Sequence, residues 1–140
     1  MTLVVDASVA AKWFIQEPET PFADVIRNAE SVIAPDLIIA EVMNAAWKHV
    51  RLRHISPEHA RSIAVNLPRA FAKVIPSVEL AVRALEIAVA LDHPVYDAFY
   101  LAAAEREDTQ LVTADGRLFQ RTRRTRFAKL ARPLVRARRA

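Results

Sequence analysis

Short apolar runs alternate along the chain with longer stretches in which apolar residues recur every three or four positions. The short runs stop at a polar residue or a proline, which is typical of buried strands. They predict strands at residues 3–5, 31–34, 73–75 and 111–113, and a last edge strand at residues 125–128.

The longer stretches have the spacing of amphipathic helices. Phe22, Val25, Ile26 and Ala29, for example, fall on one stripe of a helix. This pattern predicts helices at residues 7–15, 22–29, 37–53, 57–68, 77–91, 97–107 and 117–123. Strands separated by helices imply right-handed crossovers, so we expect an α/β fold with a mostly parallel central sheet of four to five strands and helices on both faces.

Charge divides the chain unequally. The 140 residues predict one domain, of residues 1–128, followed by a basic C-terminal extension of residues 129–140. Residues 116–140 contain ten Lys or Arg and no acid, so the first 115 residues carry a net charge of −6 within a total of +4. An acidic body beside a basic end suits a protein that binds cations in one place and polyanions in another, although an Arg-rich end is also a common solvated tail.

Several classes of function are excluded by composition. Without cysteine there is no disulfide, thiolate metal site or cysteine nucleophile, and the single glycine, Gly116, rules out a glycine-rich phosphate loop or a dinucleotide fingerprint. The N-terminal apolar run is short and lacks a basic leader, and no run approaches the length of a membrane span. We therefore expect a cytoplasmic protein without a membrane partner.

Four acids interrupt otherwise apolar runs: Asp6, Glu41, Asp97 and Asp115. A carboxylate in such a setting is costly unless it is compensated, and a bound metal is one compensation. Each acid alone has a simpler explanation: a helix cap for Asp6 or Asp97, the edge of an apolar stripe for Glu41, and a tight turn for Asp115 before Gly116. Their joint position near strand ends favours one shared site.

The segments around these acids resemble the successive motifs of a known family. The segments are VVDASV at residues 4–9, AEVMN at 40–44, PVYDAFYLA at 94–102 and LVTAD at 111–115. In this order they resemble the PIN-domain ribonucleases, and more narrowly the VapC-type toxins of toxin–antitoxin pairs, from Leu3 to about Phe127. The resemblance implies a PIN-like α/β/α sandwich and an endoribonuclease that depends on Mg²⁺ or Mn²⁺. It also implies a homodimer and a small VapB-like antitoxin that holds the enzyme inactive.

The resemblance also assigns roles to residues. Asp6, Glu41 and Asp97 would be the main metal ligands and catalytic acids, with Asp115 completing the site directly or through water. Supporting roles fall to three polar neighbours, Ser8, Asn44 and Thr113. Basic residues near the motifs are candidates for RNA phosphate contacts: Lys12, Arg117, Arg121, Arg123, Arg124 and Arg126.

Two other functions compete with this interpretation. Residues 5–8 also resemble the opening of phosphotransferases that form an aspartyl phosphate, but Ser8 stands where a second acid is expected. A non-catalytic nucleic-acid-binding module would explain the basic end. It would not explain four acids in apolar settings, because carboxylates repel a nucleic acid unless a metal intervenes.

Overall fold

The structure, a computed structural model, describes residues 1–135 and contains one five-stranded sheet. Its strands are β1 (Thr2–Val5), β2 (Ser31–Pro35), β3 (Lys73–Ile75), β4 (Leu111–Thr113) and β5 (Ala131–Pro133). The order across the sheet is β3-β2-β1-β4-β5, and all neighbouring pairs are parallel. All five carboxyl ends therefore lie along one edge of the sheet, with β1 in the centre.

Seven α-helices connect and cover these strands. They are α1 (Ala7–Ala10), α2 (Thr20–Ala29), α3 (Leu37–Arg51), α4 (Pro57–Asn66), α5 (Ala81–Leu91), α6 (Val95–Arg106) and α7 (Gly116–Thr122). Short 3₁₀ turns occupy Ala11–Trp13, Leu67–Ala70, Ser77–Glu79 and Ala128–Leu130. Among the helices of residues 1–135, none combines the length and the apolar character that a membrane span requires.

The core lies against both faces of the sheet. Successive strand residues point to opposite faces, and Leu3, Val4 and Val5 of β1 are all fully buried, so helices must cover both sides. The most buried helix is α6, which contacts β1, β2 and β4 and is packed on its outer side by α5. These contacts confirm the predicted α/β/α layers and parallel sheet, and they hold the first turn of α6 near the end of β1.

The last strand differs from the prediction. The edge strand predicted at residues 125–128 is wrong, because local hydrogen bonds fold this segment into a turn: the Thr125 hydroxyl donates to the Thr122 carbonyl (2.7 Å) and accepts from the Phe127 amide (3.1 Å). The strand is β5 instead, which pairs Leu111 with Ala131. It lies within the predicted extension of residues 129–140, and residues 136–140 of that range lie outside the described residues.

Two predicted helices are also shorter or divided. The helix predicted at residues 7–15 is α1 followed by a tighter 3₁₀ turn, with the Phe14 and Ile15 amides both donating to the Ala11 carbonyl. The helix predicted from residue 77 begins as a 3₁₀ turn and becomes α-helical only at Ala81. Neither change moves the acidic residues away from the strand ends.

Candidate active site

Asp6 directly follows β1 and is the buried centre of the candidate site, with 5% of its surface exposed. Its Oδ1 accepts from the Ser8 hydroxyl (2.5 Å) and from the Val9 amide (3.3 Å), so it also caps α1. Its Oδ2 accepts from the Thr113 hydroxyl (2.5 Å). Thr113 reaches Asp6 because β4 runs parallel beside β1 and both end at the same edge of the sheet.

Burial raises the pKa of Asp6 from 3.8 to about 6. The hydrogen bonds from Ser8 and Thr113 lower the pKa, while the negative charge of Asp97 raises it further. Within residues 1–135, no lysine or arginine forms an ion pair with Asp6 or Glu41. The buried charge of Asp6 is therefore balanced only by neutral hydrogen-bond donors, whereas Glu41 and Asp97 are partly exposed.

Glu41 lies on α3, about one turn into the helix, and Tyr100 of α6 holds its carboxylate. The fully buried Tyr100 hydroxyl donates to Glu41 Oε1. Burial raises the pKa of Glu41; the Tyr100 hydrogen bond lowers it and the charge of Asp97 raises it. Burial also raises the pKa of Tyr100, and the charges of Glu41, Asp6 and Asp97 all add to that increase. Three of the four predicted acids thus converge around one tyrosine.

Asp97 lies in the first turn of α6 and contacts His93, which precedes that helix. His93 Nε2 and Asp97 Oδ2 are 2.7 Å apart, across a separation of four residues. Asp97 and Tyr100 stand one turn apart on α6, so the same helix supplies an acid and the donor that holds Glu41. Asp97 is not the N-cap of α6, because Pro94 occupies that position.

Asp115 follows β4 and acts as the N-cap of α7. Its Oδ1 accepts from the Arg117 amide (2.9 Å) and the Leu118 amide (3.4 Å). Its own amide donates to the Thr113 hydroxyl (3.0 Å), which in turn donates to Asp6. The structure therefore links Asp115 to Asp6 through Thr113, while a role for its carboxylate as a metal ligand stays a prediction.

The three residues predicted to support the site differ in their placement. Ser8 donates to Asp6 and accepts from the Ala114 amide (2.9 Å), so it ties α1 to the end of β4. Thr113 is buried between Asp6 and the Asp115 backbone. Asn44 lines a groove with Glu41, but the described residues include no hydrogen bond between the two, and Tyr100 occupies the orienting position instead.

The residues predicted to contact RNA lie in different environments. Lys12 is buried, and its Nζ donates to Glu17 Oε2 (2.7 Å), so its charge is neutralised inside the protein. Arg117 and Arg121 are exposed on α7 and line a cleft. Arg126 lies over the Phe127 ring, with its guanidinium carbon 4.9 Å from the ring centre, and Arg123 and Arg124 are exposed after α7.

Two residues in contact with the acids, Tyr100 and His93, are absent from the predicted site. Tyr100 follows Asp97 by three residues, a spacing that places both on one helix face, and this signal was present in the sequence. His93 precedes Asp97 by four residues, but Pro94 lies between them and the helix begins only at Val95. Helical spacing therefore does not predict the contact between His93 and Asp97. Both contacts depend on where α6 starts, which periodicity alone does not determine.

The donor set of Asp6, Glu41 and Asp97 has the chemistry of a site for a hard divalent cation. Carboxylate oxygens are the ligands of Mg²⁺ and Mn²⁺, and a bound cation relieves the repulsion between neighbouring carboxylates. In the part of the chain that the structure describes, no three acidic or histidine side chains already form a metal-coordinating group. Each carboxylate is instead held by a neutral donor or by His93.

Comparison with known proteins agrees with this geometry. Residues 3–125 match the PIN domain. Ribonuclease VapC3 from Pyrobaculum aerophilum is 32% identical over 124 residues, which span 86% of this chain and 95% of the relative. The chain therefore belongs to the PIN domain family. Within that family, the curated relative that it resembles is a VapC protein.

Solved structures show the same fold. The crystal structure of PAE2754 from Pyrobaculum aerophilum matches with a TM-score of 0.67 at 26% identity, covering 96% of this chain and 84% of that chain. VapBC2 from Rickettsia felis, crystallised with a DNA fragment from its promoter, matches with a TM-score of 0.68 over 95% of this chain and 98% of that one. At 13% identity, this second likeness supports the fold alone.

Proposed function

We propose that the protein is an endoribonuclease of the VapC type, which hydrolyses RNA phosphodiester bonds with Mg²⁺ or Mn²⁺ and acts in the cytoplasm as the toxin of a toxin–antitoxin pair. The observation that carries the proposal is the convergence of Asp6, Glu41 and Asp97 on Tyr100, with no cationic side chain paired to Asp6 or Glu41 within residues 1–135. The family and the name of the curated relative, a ribonuclease, support it.

In this proposal Asp6, Glu41 and Asp97 hold the cation, and Asp115 completes the site directly or through water. A bound divalent ion stabilises negative charge on the attacking and leaving oxygens of phosphodiester hydrolysis. The chain's own residues position the acids: Ser8 and Thr113 fix Asp6, Tyr100 fixes Glu41 and His93 fixes Asp97. Such outer contacts orient ligands and typically change metal affinity by about 10–100-fold.

RNA cleavage tests the proposal. The purified chain should degrade end-labelled single-stranded RNA with Mg²⁺ or Mn²⁺ and should stop when EDTA is added. Asp97→Asn should abolish cleavage, whereas Glu58→Gln, an exposed acid on α4, should cleave as the wild type does. If the wild type cleaves no RNA but forms a phosphoenzyme from a small phosphate donor, the phosphotransferase alternative is correct. RNA binding without either reaction would favour the non-catalytic module.

An antitoxin partner is part of the proposal. A solved toxin–antitoxin complex from Klebsiella pneumoniae is similar to this chain with a TM-score of 0.61, and at 19% identity this likeness shows the fold alone. On this chain, a groove of about 470 Å³ is lined by apolar and polar residues of α3, among them Glu41 and Lys48, and by Tyr96, which is 60% exposed. Co-expression with the adjacent open reading frame should restore growth and raise the yield, and unchanged toxicity would contradict the pairing.

A homodimer is the remaining part of the proposal, and an exposed apolar stripe supports it. Val78, Val82, Leu85 and Val89 repeat at spacings of four, three and four residues and are between 60% and 83% exposed. The opposite side of α5 packs on α6, so this helix is apolar on two faces. Val82→Lys should convert a dimer to a monomer in light scattering, while Val65→Lys on α4 should not. A wild-type monomer would contradict the proposal.

A further inference from the structure

A second cleft lies beside the acidic site, between the turn that precedes α6 and the exposed side of α7. It encloses about 580 Å³. Its lining consists of Asp92, His93, Pro94, Arg117, Gln120 and Arg121. The volume is within the range of small-ligand pockets and is large enough for one nucleotide, but too small for a duplex.

His93 joins this cleft to the acidic site. The side chain lines the cleft, and its Nε2 is 2.7 Å from Asp97 Oδ2. The two sites therefore lie on either side of a single imidazole.

Two guanidinium groups give the cleft its charge. Arg121 Nη2 donates to the Asp92 carbonyl (2.7 Å), a carbonyl presented by the left-handed backbone of Asp92 (φ 51°). This bond anchors the guanidinium and uses only one of its five donors. Among the residues up to 135, the Arg117 side chain forms no ion pair or hydrogen bond. The Asp92 carboxylate is fully exposed and lies 3.9 Å from Arg121 Nη2, so it opposes the positive charge only weakly.

We propose that this cleft binds a backbone phosphate of single-stranded RNA next to the phosphate that is cleaved, with Arg117 and Arg121 as the phosphate contacts. The proposal rests on the proposed ribonuclease function. Guanidinium groups bind phosphate oxygens in a bidentate manner, and a pre-anchored Arg121 loses little freedom on binding. The Gln120 amide offers both a donor and an acceptor to the adjoining nucleotide.

Binding of fluorescein-labelled single-stranded RNA in EDTA, measured by anisotropy over a series of salt concentrations, tests the cleft without catalysis. Arg117→Gln should weaken binding several-fold and reduce the slope of log K against log salt by about 0.7, the value for one lost phosphate contact on a single strand. Arg121→Gln should also weaken binding and reduce the slope. Asp92→Asn should strengthen binding, and Arg61→Gln on α4 should bind as the wild type does.

Cleavage kinetics with Mg²⁺ or Mn²⁺ add a second readout. Arg117→Gln should raise KM and leave kcat near the wild-type value, because the contact is made equally in the ground state and in the transition state. An unchanged salt slope and an unchanged KM in Arg117→Gln would overturn the cleft assignment even if the wild type cleaves RNA. If the wild type cleaves no RNA but the slope still falls, the cleft binds an RNA phosphate, and both the proposed catalytic function and the placement beside a cleaved phosphate fail.

Discussion

Asp6→Asn should stabilise the metal-free protein near neutral pH, although it changes the centre of the candidate site. The wild-type carboxylate is buried, and its pKa rises from 3.8 to about 6 on folding. The folded state therefore binds a proton more tightly than the unfolded state does. This contribution to stability is fully present below about pH 4 and is lost as the pH rises through about 6.

The size of the stability difference follows from the pKa shift of Asp6. A change of about 2 pKa units at about 1.4 kcal/mol per unit gives ~3 kcal/mol at neutral pH, an order-of-magnitude value. Asparagine has nearly the same shape: its oxygen can accept from Ser8 and Val9, and its NH2 group can donate to the Thr113 hydroxyl. The asparagine side chain has no charge to desolvate, so the stability of the variant should not depend on the titration of residue 6. The variant and the wild type should thus be similar near pH 4, and the variant should be more stable by ~3 kcal/mol near pH 7.

Urea denaturation in EDTA at several pH values measures this difference directly. The same series on Glu58→Gln controls for the loss of one surface acid. With saturating Mn²⁺ the order should reverse, because a cation bound to the folded wild type stabilises it by linkage and the variant loses a ligand. A stability difference that stays constant from acid to neutral pH in EDTA would refute the reasoning, since it would mean that Asp6 titrates normally.

Three further changes have calculable effects. Tyr100→Phe removes the only side-chain donor to Glu41 among the described residues and should destabilise the protein by about 1–3 kcal/mol near pH 7 in urea denaturation; no change would show that the carboxylate is solvated instead. Leu101→Ala in the buried face of α6 should cost about 2–5 kcal/mol, whereas exposed Val65→Ala should cost less than about 0.5, and equal costs would contradict the assigned core. Arg83→Gln loses two bonds to an exposed carboxylate of α6 and should cost less than about 1 kcal/mol, with a smaller cost at high salt.

The central strands and the layer order were predictable because their signals are local. A run such as residues 3–5 is apolar on both sides of the pleat and ends at an acid, which marks both a strand buried on two faces and its carboxyl end. The four strands predicted at residues 3–5, 31–34, 73–75 and 111–113 match β1, β2, β3 and β4 to within one residue at either end. Parallel pairing then followed from the intervening helices.

The edge of the sheet was not predictable in the same way. β5 has only three residues and contains Arg132 and Pro133, a composition without the apolar run of an inner strand. Phe127 made the preceding segment look more strand-like, but its burial comes from a turn closed by Thr125. Short edge strands depend on their neighbour, β4, more than on their own sequence.

The candidate site was likewise predictable only in part. The four acids could be selected from the sequence because a carboxylate is unusual in an apolar run. Tyr100 lies among apolar residues and His93 lies in a polar turn, where neither residue type is unusual. His49 and His54 show the same limit: five residues apart, they do not share a helix face, yet their Nδ1 atoms are 3.1 Å apart because α3 ends between them. Contacts made across the end of a helix can be predicted only when the residue at which the helix ends is known.

Calorimetric titration of the protein with Mn²⁺, in two buffers of different ionisation enthalpy, tests most directly whether Asp6, Glu41 and Asp97 hold a divalent cation. Near pH 6 the wild type should bind Mn²⁺ and release at least roughly half a proton, since Asp6 is about half protonated there, and the release should fall towards zero near pH 8. Asp97→Asn should bind far more weakly, and Glu58→Gln should match the wild type. Equal affinities for wild type and Asp97→Asn would contradict the metal site, and binding without proton release near pH 6 would contradict the raised pKa of Asp6.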